Sequence, residues 1–149
     1  MAEFPKLKEE LLVFQSDVID LQNYSNHNNN GWKFIVVVID TFSRYAFARA
    51  LRTKEGNEVA NAVRSILESD EMSFLKPPKY LMVDRGGEFY CDSFKDMLED
   101  FGIHMYCSGS NVKASMAERF IRTLKSWMFQ EFSARGSYKW TNILDDLMK

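Results

Sequence analysis

The order of the apolar segments is the feature that most restricts how this chain can fold. The segments are, in order, strand-like runs at 11–21, 33–40 and 44–51, a helix at 58–67, a strand at 80–83, a helix from 92 or 93 to 101, a strand at 103–107, a long helix at about 114–135 and a last helix beginning near Thr141. Three consecutive strands predict an antiparallel meander, whereas the later strands alternate with helices and so predict parallel crossovers. We therefore predict an α/β fold with a mixed five-stranded sheet, three antiparallel strands plus two parallel ones, flanked by helices.

Two carboxylates stand in or beside strands that are otherwise apolar. Asp17 interrupts the run 11–21, and Asp84 directly follows the run 80–83. Right-handed crossovers allow the fourth strand to lie beside the first, which would bring the two acids together across 66 intervening residues. Because an uncompensated buried charge is costly, such positions indicate either a cationic side chain or a metal ion as partner.

The long helix supplies a third acid. Glu118, Arg122 and Lys125 lie at helical intervals on one side. The apolar stripe on another side consists of Phe120, Ile121, Leu124, Trp127 and Met128. Taken alone, Glu118 and Arg122 are more typical of a solvated salt bridge between successive turns than of a functional site.

Three converging carboxylates favour a site for two divalent ions, since Mg²⁺ or Mn²⁺ would offset their mutual repulsion and contact phosphate oxygens. Such ions can activate a water or a 3′-hydroxyl and stabilise the leaving oxygen, so no histidine base is needed. The chain has no glycine-rich phosphate loop and no serine nucleophile motif. Cys91, Cys107, His27 and His104 lack zinc-site spacing, and we interpret them as structural or incidental.

Length and charge are compatible with a nucleic-acid partner. The 149 residues suffice for one domain, and we expect the core domain to span 11–149, with 1–10 a tag remnant or lead-in segment. The formal charge is −2, but residues 109–149 hold 7 basic and 4 acidic side chains, whereas 1–108 hold 12 and 17. This asymmetry permits DNA binding, although an ordinary solvated helix surface explains it as well. No run is long enough to span a membrane, so we expect an intracellular protein.

Four ordered blocks resemble the catalytic core of retroviral-type integrases. They are Phe14-Gln15-Ser16-Asp17, the stretch from Val38 to Tyr45 (VIDTFSRY), the stretch from Val83 to Phe89 (VDRGGEF), and the stretch from Ala114 to Phe120 (ASMAERF). The resemblance is strongest to integrases of Maverick/Polinton elements and their virus and virophage relatives. A strand ending in Asp-x-Gly-x-Glu-Phe and a helix beginning Lys-Ala-Ser-x-x-Glu-Arg-Phe are typical of that group.

The resemblance implies an RNase H-like fold and a DDE polynucleotidyl transferase that uses two Mg²⁺ or Mn²⁺ ions. Asp17, Asp84 and Glu118 would be the metal ligands. Such enzymes trim the 3′ ends of element DNA and join them to target DNA, so double-stranded DNA ends and target DNA are the expected partners. By position, Lys113, Arg122 and Lys125 would contact DNA.

The same resemblance implies a homodimer or higher oligomer in the full-length protein, located in the host nucleus or the virus particle. Asp84 and Glu118 are separated by 33 residues, fewer than is usual in retroviral integrases, which predicts a shorter active-site loop. The zinc-binding and carboxy-terminal DNA-binding domains of complete integrases are not in this sequence, so complete integration by these residues alone is not expected.

Two other functions remain open. The same metal arrangement could cut RNA–DNA hybrids as an RNase H-like nuclease, or the domain could be an inactive, domesticated scaffold that associates through Trp127, Phe129 and the terminal helix. Among neighbouring acids, Asp20 has the opposite strand parity to Asp17 and should face away. Asp40 is expected to cap the following turn. The three tryptophans, Trp32, Trp127 and Trp140, are interpreted as packing or interface residues.

Overall fold

The computed structural model of the protein describes residues 13–24, 31–75, 77–83, 89–107, 115–136, 140, 141 and 144, without the side chains of residues 24, 107 and 115–118. The elements are β1 (Val13–Asp20), β2 (Phe34–Asp40), β3 (Ala46–Leu51), α1 (Gly56–Leu67), β4 (Tyr80–Val83), α2 (Asp92–Asp100), β5 (His104–Cys107) and α3 (Ser115–Arg135), with short 3₁₀ helices at Gln22–Tyr24 and Asp70–Phe74. Thr141 and Leu144 are also helical, at the place of the predicted last helix. Segment 1–10 lies outside the described residues.

The sheet has five strands in the order β3-β2-β1-β4-β5. β1 pairs antiparallel with β2, which pairs antiparallel with β3. On its other side β1 pairs parallel with β4, and β4 pairs parallel with β5. The predicted mixed sheet is confirmed, and so is the predicted contact between the first and fourth strands.

One face of the sheet is covered by α1 and α2. Its core consists of strand residues Phe14, Phe34, Val36, Val38, Phe47, Leu51, Leu81 and Val83 packed on Val59, Val63 and Ile66 of α1 and on Phe94, Met97 and Leu98 of α2. The inner strand β2 is buried along its whole length, as expected for a strand with helices on both sides. We call this the α1–α2 face.

The opposite face is covered by α3, and we call it the α3 face. Its core joins Ile19, Ile35, Val37 and Ala48 of the sheet to Leu124, Met128 and Phe132 of α3 and to Trp140 and Leu144. Leu124 and Met128, predicted members of the apolar stripe, are buried, whereas Trp127 is 41% exposed. None of the helices in the described parts of the chain is both long and apolar enough to cross a membrane.

The start of α2 differs from the prediction. Neither Asp92 nor Ser93 is the N-cap, because both lie inside the helix and Cys91 occupies the cap position in an extended conformation without a side-chain cap hydrogen bond. The Ser93 hydroxyl instead donates to Asn57 Oδ1 in α1. The end of the helix follows the prediction, since Gly102 has φ +67°, a conformation that glycine adopts readily.

Candidate active site

Asp17 lies in the middle of β1, where the chain is held from both sides. Its Cα pairs with Val37 of β2, and the preceding residue, Ser16, pairs with both Val38 and Val83. The Asp17 side chain is half-buried, and its Oδ1 accepts a 2.8 Å hydrogen bond from the backbone N–H of Val18. The backbone at Asp17 is therefore fixed by the sheet, and one carboxylate oxygen is fixed by the chain itself.

Strand alternation places Asp17 on the α3 face. Phe14 and Val18 of β1 pack into the core beneath α1 and α2, whereas Ile19 packs with residues of α3. Asp17 shares the parity of Ile19, because side chains two residues apart point to the same face of a strand. The carboxylate thus belongs to the face that the long helix covers.

The register of β4 against β1 brings the end of β4 next to Asp17. The last described pair between β1 and β4 joins Ser16 to Val83, so each partner is followed in the sequence by an acid, Asp17 and Asp84. Asp84 itself lies outside the described residues. Met82 of β4 and Phe120 of α3 both pack against Ile39 of β2, so Met82 lies on the α3 face of the sheet.

Glu118 belongs to the first turns of α3, and its side chain is outside the described part of the structure. The residues that follow it do make contact with the sheet. Phe120 packs against Ile39, and Ile121 packs against the core of the α3 face. The helical turn that contains position 118 therefore lies next to the face that carries Asp17.

The structure describes the side chain of Asp17 and the backbone of Glu118. Asp84 is outside the described residues and directly follows β4 in the sequence. Within the described residues, no group of three or more histidine, cysteine, aspartate or glutamate side chains could hold a metal ion. The grouping of the three acids therefore remains a prediction, to which the strand order and the position of α3 are favourable.

Asp20 faces solvent and Asp40 caps the following turn, as predicted. Asp20 is exposed and accepts hydrogen bonds from the backbone N–H and side-chain amide of Gln22, at 2.9 and 3.0 Å. Asp40 is 5% exposed and holds the β2–β3 turn. Its two oxygens accept hydrogen bonds from the Phe42 N–H at 3.0 Å and from the Ser43 hydroxyl at 2.8 Å.

Gln15 is a buried polar residue on the same face as Asp17, and no role was predicted for it from the sequence. Its side chain is only 6% exposed, and it has the strand parity of Asp17, two residues later. Its strand partners are Ile39 in β2 and Met82 in β4, so apolar neighbours flank a buried amide. The sequence could have indicated this position, because Gln15 and Asp17 are two residues apart and side chains at that spacing lie on the same face of a strand.

The family model for the integrase core domain matches residues 11–111, more than half of the chain. The chain belongs to the integrase core domain family. The matched range contains Asp17 and Asp84, whereas Glu118 follows its end. The resemblance to retroviral-type integrases is confirmed at the level of the family.

Two relatives of this integrase core add to the comparison. An uncharacterized transposon-derived protein of Caenorhabditis elegans is 27% identical over 121 residues, which cover 81% of this chain and 41% of that protein. The fold resembles a chain of the simian T-cell lymphotropic virus intasome solved in complex with the PP2A regulatory subunit B56 gamma, with a TM-score of 0.68 and 18% identity over 83% of this chain and 42% of that one. That likeness confirms the RNase H-like fold. The integrase core spans less than half of each relative.

Two of the three predicted DNA contacts are described on α3 of this integrase core. Arg122 is exposed and Lys125 is half-buried. Both line a shallow depression of ≈ 560 Å³ together with Ser126, Phe129, Gln130 and Ser133. Lys113 lies outside the described residues, and the alternative salt bridge between Glu118 and Arg122 involves a side chain that is not described. The two basic residues are on an open surface of the helix, where a phosphate backbone could reach them.

The aromatic side chains of the integrase core divide between packing and surface. Trp140 is fully buried and Trp32 packs against the same core, with the Arg52 guanidinium 4.0 Å from its ring centre. The packing role predicted for these two residues is confirmed. Trp127 and Phe129 are 41% and 44% exposed on α3, so the surface named for a scaffold is present. Its use stays a prediction.

Proposed function

We propose that this chain is the catalytic core of a DNA integrase or transposase that trims the 3′ ends of a mobile or viral element and joins them to target DNA. Asp17, Asp84 and Glu118 would form its acidic triad. The observation that carries the proposal is the parallel pairing of β4 with β1, in which Ser16 pairs with Val83, one residue before each aspartate. Family membership supports the reaction class, and the transposon-derived relative supports a mobile-element origin.

The proposed triad fits a pair of Mg²⁺ or Mn²⁺ ions. All three donors are carboxylates, and hard oxygen ligands are the ones that these ions prefer. Asp17 is half-buried beside the apolar residues Ile19 and Val37, where neighbouring negative charges would repel strongly without cations. When bound, such ions activate a water or 3′-hydroxyl for attack on phosphorus and stabilise the leaving oxygen.

The side chains of the core would hold the reacting groups in place. Asp17 is positioned by two neighbouring strands and by the Val18 N–H, so little reorganisation is needed when it binds a ligand. Arg122 and Lys125 would hold the phosphate backbone of a DNA end along α3. Gln15, buried on the same face, would support the carboxylates from below.

The wider assignments belong to the same proposal. The sequence blocks around Asp84 and Glu118 support a Maverick/Polinton or virophage type of element. Double-stranded DNA ends and target DNA would be the substrates, and the longer protein would act as a homodimer or higher oligomer in the host nucleus or virus particle. The core domain would correspond to residues 11–149.

The test is Mn²⁺-dependent strand transfer, or its reversal on branched DNA, by the parent chain and by Asp17→Asn and Asp84→Asn. Each substitution is expected to lower the rate at least about a thousandfold, the upper range for loss of one preorganised electrostatic group. Asp20→Asn is the matched control, since this exposed acid lies on the same strand and has the opposite parity; its rate should match that of the parent.

Circular dichroism must show that all variants are folded. Equal activity of Asp84→Asn and the parent would overturn the proposed function. A substrate panel completes the test: cleavage restricted to RNA–DNA hybrids would reassign the site to an RNase H-like nuclease. Inactivity of the parent with every substrate, together with the absence of Mn²⁺ binding by calorimetry, would favour the scaffold.

A further inference from the structure

Aromatic side chains line the α3 face of the two parallel strands beside the candidate active site. In the β4–β5 register, Tyr80 pairs with His104 and Met82 pairs with Tyr106. The Tyr80 ring centre lies 6.0 Å from that of His104 and 6.3 Å from that of Tyr106, with the two tyrosine rings edge to face. We call Tyr80, His104 and Tyr106 the aromatic platform.

The platform is open to solvent, in contrast to the other face of the same strands. Leu81 and Val83 are buried in the core beneath α1 and α2, and Met105 packs against that core. On the platform side, Tyr106 is 40% exposed, His104 is exposed, and Tyr80 is half-buried. Helix α3 packs mainly on β1 and β2. Strands β4 and β5 thus present rings on a surface that α3 leaves accessible.

The platform is continuous with the candidate site. Tyr106 pairs with Met82, and Met82 pairs with Gln15, which precedes Asp17 by two residues of β1. Two strand spacings are about 10 Å and two residues of strand are about 7 Å, so the backbones at Tyr106 and Asp17 are about 12 Å apart across the sheet. At about 3.4 Å per nucleotide along a duplex strand, this is a distance of roughly three to four nucleotides.

We propose that the aromatic platform stacks an unpaired base of the DNA strand whose phosphodiester is held by the acidic triad. This inference rests on the proposed function. Rings on an open sheet surface are a recurrent way of binding single-stranded nucleic acid, because every base offers a flat apolar face. Strands β4 and β5 contain no aspartate or glutamate that would repel the adjoining phosphates.

The protonation state of the Tyr106 phenol is compatible with a DNA partner. Partial burial, and secondarily the charge of Tyr80, raise the pKa of Tyr106 above its ordinary value of 10.0. Tyr106 is therefore neutral at physiological pH and adds no negative charge beside the DNA backbone. The alternative is that the rings only stabilise the sheet as cross-strand pairs. That alternative predicts a change in folding stability without any change in base recognition.

The experiment measures DNA binding by fluorescence anisotropy in Mn²⁺, on branched substrates whose scissile phosphodiester is replaced by a non-cleavable linkage, so that chemistry does not contribute. The substrates carry either normal bases or a single abasic position within four nucleotides of that linkage. The variants are Tyr106→Ala, Tyr106→Trp and, as a matched control, Phe74→Ala, which removes an aromatic ring that is 88% exposed outside the platform. Tyr106→Leu replaces Tyr106→Ala if the latter has a lower unfolding midpoint than the parent.

We expect Tyr106→Ala to raise the Kd for the normal substrate at least about fivefold, the lower range for loss of one stacking contact. An abasic site at one position should raise the Kd of the parent by the same factor. The same abasic site should not raise the Kd of Tyr106→Ala any further. Tyr106→Trp and Phe74→Ala should bind like the parent. Independent losses at every abasic position, or unchanged binding by Tyr106→Ala, would overturn the platform.

The outcome is separable from the test of the acids. An inactive Asp17→Asn variant with no coupling between Tyr106 and any base would reject the platform and leave the proposed function standing. An active Asp17→Asn variant with clear coupling would reject the proposed chemistry while retaining base stacking at this surface.

Discussion

The two faces of the sheet treat their carboxylates in opposite ways. Asp40 has the strand parity of Val36 and Val38 on the α1–α2 face, is almost fully buried, and gives both oxygens to a turn. Asp17 is on the α3 face, half-buried, with Oδ1 held by an adjacent N–H in the middle of a strand. Asp40 secures a turn and so contributes to stability, whereas Asp17 stands within a strand, where its carboxylate is available to the proposed site. The acid of the α1–α2 face thus has a structural role, and the proposed chemistry belongs to the α3 face.

The largest expected effect would test whether the α1–α2 face is purely structural. Phe94 is fully buried there, with its ring centre 5.3 Å from that of Phe89. Phe94→Ala should lower the free energy of unfolding by about 3–5 kcal/mol, because it removes a large apolar side chain and leaves a cavity. Chemical denaturation measures this loss. Phe74→Ala is the control and should stay within about 0.5 kcal/mol of the parent; a similar loss in both variants would contradict the division between the faces.

A smaller effect is expected from the acid of the α1–α2 face. Asp40→Ala removes the acceptor for Phe42 N–H and for the Ser43 hydroxyl, and should destabilise the protein by about 2 kcal/mol. Under conditions where the variant is folded, its Mn²⁺ affinity and strand-transfer rate should equal those of the parent. Calorimetric metal titration and denaturation would check the two halves of this prediction. Weakened metal binding by Asp40→Ala would break the comparison with Asp17.

The smallest effect concerns Tyr45, which donates a 2.8 Å hydrogen bond to Glu71. That hydrogen bond, followed by burial and the charge of Glu71, raises the pKa of Tyr45 above 10.0. Above pH 10 the unfolded chain therefore releases this proton before the folded protein does, and stability falls as the pH rises toward the folded-state pKa. Tyr45→Phe should remove this contribution, which is small because the site is exposed. Unfolding midpoints of both proteins at pH 7 and above pH 10 measure it; an unchanged alkaline slope would contradict the assignment.

The sequence predicted the elements well, because apolar periodicity and local chain breaks determine them. The run 80–83 and the stop at Gly102 were found at their observed places, and the order of strands made the contact of β1 with β4 predictable. The predicted N-cap of α2 was wrong. The Ser93 hydroxyl donates a hydrogen bond to Asn57, a residue 36 positions away, instead of capping the helix. Such a tertiary choice leaves no local pattern.

The site was predictable only in part, because some of its residues come together through tertiary contacts that leave no local sequence pattern. Strand parity distinguished Asp17 from Asp20, and it could have identified Gln15. The aromatic platform could not be found in this way, since Tyr80 and Tyr106 become neighbours only through the register of β4 with β5. Register depends on how two strands separated by a helix pack on a common core, which neither strand encodes alone.

The central position of β1 also determines the order in which its two neighbouring strands can pair with it during synthesis. Its antiparallel neighbour follows within the first 40 residues, but its parallel neighbour is complete only at Val83, after a crossover that includes α1. A ribosome-bound chain can thus build the hairpin around Asp17 early and must wait for β4 before the opposite side of that strand is closed. Until then, the emerging polypeptide has Asp17 without Asp84 and cannot assemble the proposed triad.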